Sequence, residues 1–591
     1  MRDERLPAGA RSAKAGRSDY QLLTRLFLRQ FLENDLVSPD ADRSQLIAVV
    51  GAAVISLTLF ISMFMSAPYS MSILGPGQAA ILTLNDKFFY VSLAMLVSAL
   101  VAASQWDALS VDLRDAAILD PLPVRTGTVR RAKVTAVAIL GAGAAVAMNA
   151  FPTFIFPWML SFSLRQLTVW QLWPLMLTHL VITVSAAVFG YLAVIAVRES
   201  ISVLLGPARF ARVSPWLQMV TIVLLGSGLL LMPTASTRIA QRGFSGWREH
   251  SPPMAFVGAY EVLSRSVLAD LPHRRMNPRV AERDRLNAVL YESRRPLFPA
   301  LARRAGMMLA IAAAIAAAAT VISSLRSQSL SAPAPQRRGR RWPIAARIVQ
   351  ASFARTPAAR AGFYFTLAAL WRSKAHRLTV AGAVAVGIAM ALVTLSRSNT
   401  EPGAGPSVGL LAIQPLLYGT LLVGFRHAIR VPAELRANWA TQLAWGSQVR
   451  AFAAGVQWAA VVTLVLPVVI LVAPVVGVVA GWQAAFVHAL LGIVGAVILL
   501  DILMANYDKV PFLCSYVPGE NGKATVPLMV IAFLIGASVF ARLELAVVSG
   551  ANVALAIAVI ATALISLRVL SNTRPRAAEI DFNEAPARST N

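Results

Sequence analysis

The chain has 591 residues, 57% of them hydrophobic and 14% charged, with a mean hydropathy of +0.63. Soluble globular chains carry about 25% charged residues, so composition excludes an ordinary water-soluble protein. The formal charge of +26 is dispersed among polar connections instead of gathered on one compact domain, which argues against nucleic acid as a partner. The sole cysteine, Cys514, excludes an intramolecular disulfide and a multi-cysteine metal site.

Segment 1–45 is polar and Arg-rich, with no cleavable apolar leader expected. Within it Tyr20, Leu22, Leu23, Leu26, Phe27 and Phe31 recur at helical spacing between Arg25 and Arg29, the pattern of an amphipathic helix lying along the cytoplasmic interface. A spanning helix needs about 20 mostly apolar residues. Leu46–Met65, Phe88–Ser104, Val134–Phe156, Trp173–Val197, Trp216–Met232 and Ala305–Leu325 meet this over 46–326, with a long outer loop at 234–304 in which apolar Met254–Leu263 is placed to dip into the membrane. A basic Pro/Ser linker follows at 327–342, then a second interfacial segment at 343–377 carrying Tyr364, Leu367, Leu370 and Trp371. Leu378–Leu395, Val408–Phe425, Phe452–Ala473, Ala484–Met504, Val526–Ala541 and Ala551–Leu567 make a second set over 378–568, before a tail at 569–591. The expected fold is all-α: a polytopic bundle of about twelve spans in two related six-span halves.

Basic residues of short loops stay cytoplasmic. They gather after the second span (Arg114, Arg125, Arg130, Arg131, Lys133), the fourth (Arg198, Arg209, Arg212), the sixth (Arg337, Arg338, Arg340, Arg341), the eighth (Arg426, Arg430, Arg436, Arg450) and the twelfth (Arg568, Arg574, Arg576). Both termini are therefore expected inside a bacterial plasma membrane. The Arg-rich stretch 234–304 strains this scheme and is where a miscounted span is expected.

The halves also share residues. Asp112-Leu-Arg114-Asp115 followed by Val129-Arg130 answers to Glu434-Leu-Arg436-Ala437 followed by Val449-Arg450, and Trp173-x5-His179 answers to Trp482-x5-His488. Matching positions within a matching topology point to a duplicated unit, and duplicated membrane units place a pathway at the interface between halves.

Trp106-Asp-Ala-Leu-Ser-Val-Asp112-Leu-Arg114-Asp115, leading into Ile118-Leu-Asp120-Pro-Leu-Pro123, resembles the cytoplasmic segment of a bacterial family of large permease-like proteins grouped with type 2 ATP-binding-cassette exporter permeases. Pro252-Pro-Met-Ala-Phe-Val-Gly-Ala-Tyr260-Glu261, Ala361-Gly-Phe-Tyr-Phe, Trp371-Arg-Ser, Pro432-Ala-Glu434-Leu-Arg436-Ala-Asn438-Trp439 and Lys509-Val-Pro-Phe512-Leu-Cys514-Ser-Tyr516 carry the same resemblance across nearly the whole chain. It implies a six-helix permease fold with an interfacial helix before the first span, a short coupling helix between the second and third, and a separate ATPase subunit. The chain departs from the usual single six-span subunit by fusing two.

Within this chain the nearest phosphate-loop lookalike, Gly519-Glu-Asn-Gly522-Lys523-Ala524-Thr525, lacks the hydroxyl residue after Lys and the first Gly. No nucleotide cofactor or metal is expected. Energy would enter through 106–125 and 430–450, with Asp112, Arg114, Asp115, Glu434, Arg436 and Asn438 as candidate contacts to an ATPase dimer, against the plainer reading that these charges cap helices and meet lipid headgroups. His179 and His488 are candidate pathway residues, although near an interface a satisfied hydrogen bond is the simpler reading. Asp501 is expected as a helix cap or ion pair at the inner end of its span. Glu249, His250, Glu261, Asp270 and His273 are expected as surface charge. The expected function is the permease of an ATP-driven exporter of unassigned substrate. A secondary transporter and a non-transporting scaffold are the alternatives.

Overall fold

The computed structural model describes residues 19–29, 76–106, 126–164, 169–242, 249–268, 278–326, 354–396, 401–433, 449–504, 511–512 and 525–550, with scattered single positions elsewhere. Among these residues every regular element is helical, and eight helices are long and apolar enough to cross a membrane. Helices satisfy their own backbone donors and acceptors, which is what a hydrocarbon solvent demands. The chain divides into two compact units, the first comprising most residues up to Pro335 and the second Gln336 onward.

In the first unit α1 (residues 19–29) is followed by α2 (Pro76–Ser104), α3 (Thr126–Leu164), α4 (Val169–Arg242), α5 (Pro252–Leu268), α6 (Pro278–Arg294) and α7 (Phe298–Arg326). The start of α2 is capped from a distance: the Gln78 N–H donates to Asp284 Oδ1 of α6 at 2.8 Å, satisfying one of the orphan donors of a helix N-terminus. Helix α4 runs for 74 residues and is broken at Gly206, where φ is 71°. Glycine adopts that left-handed backbone at no steric cost, and Pro207 disfavours a helical residue before it. The expected spans Trp173–Val197 and Trp216–Met232 lie on either side of the break. Arg198, expected as a loop cation, is instead buried, paired with Glu199 and stacked 5.4 Å from the centre of the Phe210 ring.

Helix α5 contains the apolar Met254–Leu263 expected to dip into the membrane from an Arg-rich loop: Met254, Phe256, Val257 and Tyr260 are buried, and so is Glu261, packed with Leu84, Phe88, Ile182 and Leu301. Its 17 residues rise only about 25 Å, short of a hydrocarbon core of about 30 Å. One buried face outweighs the composition of the flanks.

In the second unit α8 (Pro357–Arg372), α9 (Lys374–Leu395), α10 (Val408–Ala428) and α11 (Val449–Ala460) are followed by a π-helical turn (Val461–Val465), α12 (Leu466–Ala480), α13 (Trp482–Met504) and α14 (Thr525–Val548). Thr356 caps α8 by accepting from the Ala359 N–H at 3.2 Å, with Pro357 in the first turn, where its missing donor costs nothing. The π turn precedes Pro467, whose lack of an N–H disturbs the regular ladder.

The short amphipathic helix of each unit packs in the same way. In the first, Leu23 and Phe27 of α1 bury against Val129, Ala132 and Ala136 at the start of α3, with the Tyr20 hydroxyl 2.7 Å from Thr135 Oγ1. In the second, α8 crosses α11 so closely that a side chain on Gly362 would strike the Phe452 carbonyl and one on Gly455 the Ala359 carbonyl. Leu22, Leu26, Tyr364 and Trp371 remain exposed on these helices, an unburied apolar edge suited to a membrane surface. Gly455→Leu is therefore expected to destabilise the second unit by about 1–3 kcal/mol through overpacking. Gly382→Ala, whose added methyl meets nothing within 4 Å, should leave the thermal midpoint of the purified chain within about 1 °C.

Ile470, Leu471 and Phe486 are exposed along α12 and α13, and Trp170, Trp173 and Trp482 at the starts of α4 and α13. Apolar flanks with terminal tryptophans are the surface of a helix bathed in lipid, compatible with a multi-pass membrane protein. The eight membrane-length helices include α4 as one element across its break, and α14 adds a further 24 helical residues. The expected spans Leu46–Met65 and Ala551–Leu567 lie, apart from scattered positions, outside the described residues. So do Asp112, Arg114, Asp115, Glu434, Arg436 and Asn438.

Candidate functional site

Each unit contains one buried cluster around the histidine of its Trp-x5-His sequence. Exposed Trp170 and Trp173 mark the interfacial end of α4, and His179 lies roughly 9 Å along the helix from Trp173. His179 is fully buried, with its Nδ1 hydrogen-bonded to the Tyr260 hydroxyl at 3.2 Å. The Tyr90 ring of α2 meets it edge-on at 5.3 Å and Phe156 of α3 lies at 5.6 Å. Next to Tyr260, Glu261 receives Lys87 Nζ of α2 on Oε1 at 2.6 Å and the Tyr291 hydroxyl of α6 on Oε2. Lys87 Nζ also sits 4.7 Å from the centre of the Tyr260 ring. Burial, and after it the charge of Glu261, raises the Tyr260 phenol well above its ordinary range, so it remains a neutral partner. Helices α2, α3, α4, α5 and α6 all contribute, and the site bolts α5 to the bundle.

The second cluster is simpler. His488, on α13, is fully buried and its Nδ1 bonds Glu544 Oε1 of α14. Gln414 of α10 is fully buried and lodged against Gly492, one turn beyond His488 on the same face of α13; Tyr418, one turn along α10, is held against Gly495, where a Cβ would stand 2.7 Å from its hydroxyl. Glycines at 492 and 495 leave room for polar side chains that any larger residue would displace. His488 Nε2, Glu544 Oε2 and both amide atoms of Gln414 are buried with no hydrogen-bond partner among the described residues. An unsatisfied buried polar atom costs about 1–3 kcal/mol, and such atoms concentrate where a site does more than pack.

Of the residues singled out by sequence, His179 and His488 thus occupy matching places, each drawing a residue from a later helix. The bland expectation of one satisfied hydrogen bond describes His179 Nδ1. It describes His488 Nδ1 as well, where the partner is the Glu544 carboxylate, and Nε2 of both histidines is buried without a partner among the described residues. Glu261, expected as surface charge, is 3% exposed and ion-paired. Sequence reasoning passed over Lys87, Gln414 and Glu544. Lys87 immediately precedes the apolar stretch at Phe88, and Glu544 lies three residues past Ala541. A charged residue flanking a span on the Trp-rich side was the available signal. Among the described residues no three His, Cys, Asp or Glu side chains gather as a metal site would require.

The connections expected to carry docking charges are fixed at their roots. After α2, Trp106 is 1% exposed and donates from Nε1 to Ser214 Oγ of α4 at 2.9 Å, while Gln218 Nε2 donates to the Ala103 carbonyl at 3.0 Å. After α10, Phe512 N–H donates to the Ile429 carbonyl at 2.7 Å and the Ala433 N–H to the Phe512 carbonyl at 2.8 Å. His376 Nε2 bonds the Val431 carbonyl at 3.0 Å and its Nδ1 the Ser373 hydroxyl at 2.6 Å. Both roots are thus tied to other elements of their own unit. No protein-family model, curated protein or solved structure matches this chain.

Proposed function

We propose that the chain is the membrane-spanning permease of an ATP-binding-cassette-type exporter in a bacterial plasma membrane, energised by a separate ATPase dimer. It is built as two related six-span halves, about twelve crossings in all, with both termini cytoplasmic and a substrate path between halves. The observation that carries this reading is the pinned root of each connection: Trp106 on Ser214, and Ile429–Ala433 on Phe512. A connector that converts movement of a soluble motor into movement of spans must be polar at its tip and rigid at its base. The sequence that continues from these roots holds Asp112, Arg114 and Asp115, and Glu434, Arg436 and Asn438.

Arg114→Glu and Arg436→Glu are each expected to lower recovery of a nucleotide-binding partner from native membranes by more than tenfold, since breaking a close interfacial charge pair costs about 2–5 kcal/mol. Co-purification and stimulated ATP hydrolysis at wild-type levels in both variants would overturn the docking assignment.

A second reading, transport driven by an ion gradient without ATP, is favoured by the buried Lys87–Glu261 and His488–Glu544 pairs, because ionisable groups within membrane helices commonly serve ion pathways. Gradient-driven uptake by proteoliposomes holding this chain alone would select it.

A further inference from the structure

The two buried clusters differ in how the acid is neutralised. Glu261 is engaged at both oxygens, by Lys87 and by Tyr291, and His179 reaches Tyr260 instead of the carboxylate. Glu544 is met by His488 alone among the described residues, with Oε2 left over. Lysine and tyrosine are not side chains that exchange protons near neutral pH; histidine is. Only the second cluster therefore pairs a carboxylate with an exchangeable partner.

We propose that His488 and Glu544 form a proton-exchange site, with Gln414 as the amide that follows the proton. With the proton bound the pair is neutral overall. When it leaves, to water at the Trp482-bearing end, His488 is neutral and Glu544 is a carboxylate. A glutamine amide presents a donor to one state and an acceptor to the other by turning over, and both amide atoms of Gln414 are buried without a partner among the described residues. The surroundings are otherwise sparse in charge. Helix α12 and the π turn bring no titratable residue. Helix α10 brings Tyr418 nearby, with Arg426 and His427 at its far end. Helix α14 adds Arg542, and Asp501 of α13 stands roughly 20 Å along the helix. Glu544 is four residues from the end of α14, a short path for the proton. The contact between α13 and α14 thereby becomes dependent on pH, whereas the Lys87–Glu261 contact is fixed.

This site stands whether or not an ATPase docks, so failed co-purification would leave it untouched. The test is infrared difference spectroscopy of the purified full chain in lipid nanodiscs, titrated between about pH 5 and pH 8. The expected result is one proton's worth of combined histidine-ring and carboxyl signal in the wild type, lost in both His488→Gln and Glu544→Gln. A wild-type spectrum without that signal overturns the proposal and requires no variant to fold. Survival of the signal in either variant overturns it equally.

Discussion

Lys87→Met is expected to lower the stability of the first unit by about 3–5 kcal/mol, the usual consequence of removing one partner from a buried ion pair. Lys87 and Glu261 are 2% and 3% exposed, so the stranded carboxylate has no water to turn to. The Tyr291 hydroxyl stays bound to Oε2, but a neutral donor does not compensate a buried charge. Methionine matches the length of lysine, so little of the loss comes from a cavity. The double variant Lys87→Met/Glu261→Gln removes both charges and should regain most of the loss, because residues in contact do not act additively. Thermal unfolding of the purified chain followed by intrinsic fluorescence measures all three proteins. If the single variant melts within about 2 °C of wild type, or the double melts no higher than the single, the charges are not buried together.

Why this pair escaped the sequence is instructive. Its members are 174 residues apart, and helical periodicity speaks only of neighbours three and four apart. Lys87 stands one position before the apolar stretch at Phe88, so counting hydrophobic residues trims away the charge that matters. In helix α5 the apolar piece Met254–Leu263 was legible but the burial of Glu261 was not, because arginines on its flanks weigh on composition while burial is decided by one face. Other features were legible because they are local. The Trp-x5-His spacing marks a buried ring one to two turns from an interfacial anchor in both units. The apolar repeat of Leu23 and Phe27 announces the face that α1 lays on α3. The division between the expected spans Trp173–Val197 and Trp216–Met232 contains the break in α4 at Gly206, although the helix on either side continues beyond the apolar spans. What each histidine touches, Tyr260 or Glu544, depends on a later helix and could not be read.

Phe512→Ala should destabilise the second unit by about 3–5 kcal/mol, the range for deleting a buried aromatic ring. Phe512 is fully buried and its ring lies against His376 at 5.2 Å and Phe365 at 5.8 Å. Its backbone has φ 66°, a left-handed conformation that costs a non-glycine residue roughly 1–2 kcal/mol. The ring contacts and the two backbone hydrogen bonds to Ile429 and Ala433 hold that strained geometry in place. Alanine inherits the strain without the ring, so the bonds that fix the connection after α10 lose their support. Phe512→Leu keeps part of the apolar contact and should lose less. The effect must also reach the connection itself. Hydrogen exchange of the Ala433 amide, donated to the Phe512 carbonyl, should accelerate in Phe512→Ala by at least about tenfold, the consequence of roughly 1.4 kcal/mol of lost local protection. Unchanged protection at Ala433 alongside a lowered melting point would mean that the ring serves packing alone, and that the root of the connection is held by His376 on Val431.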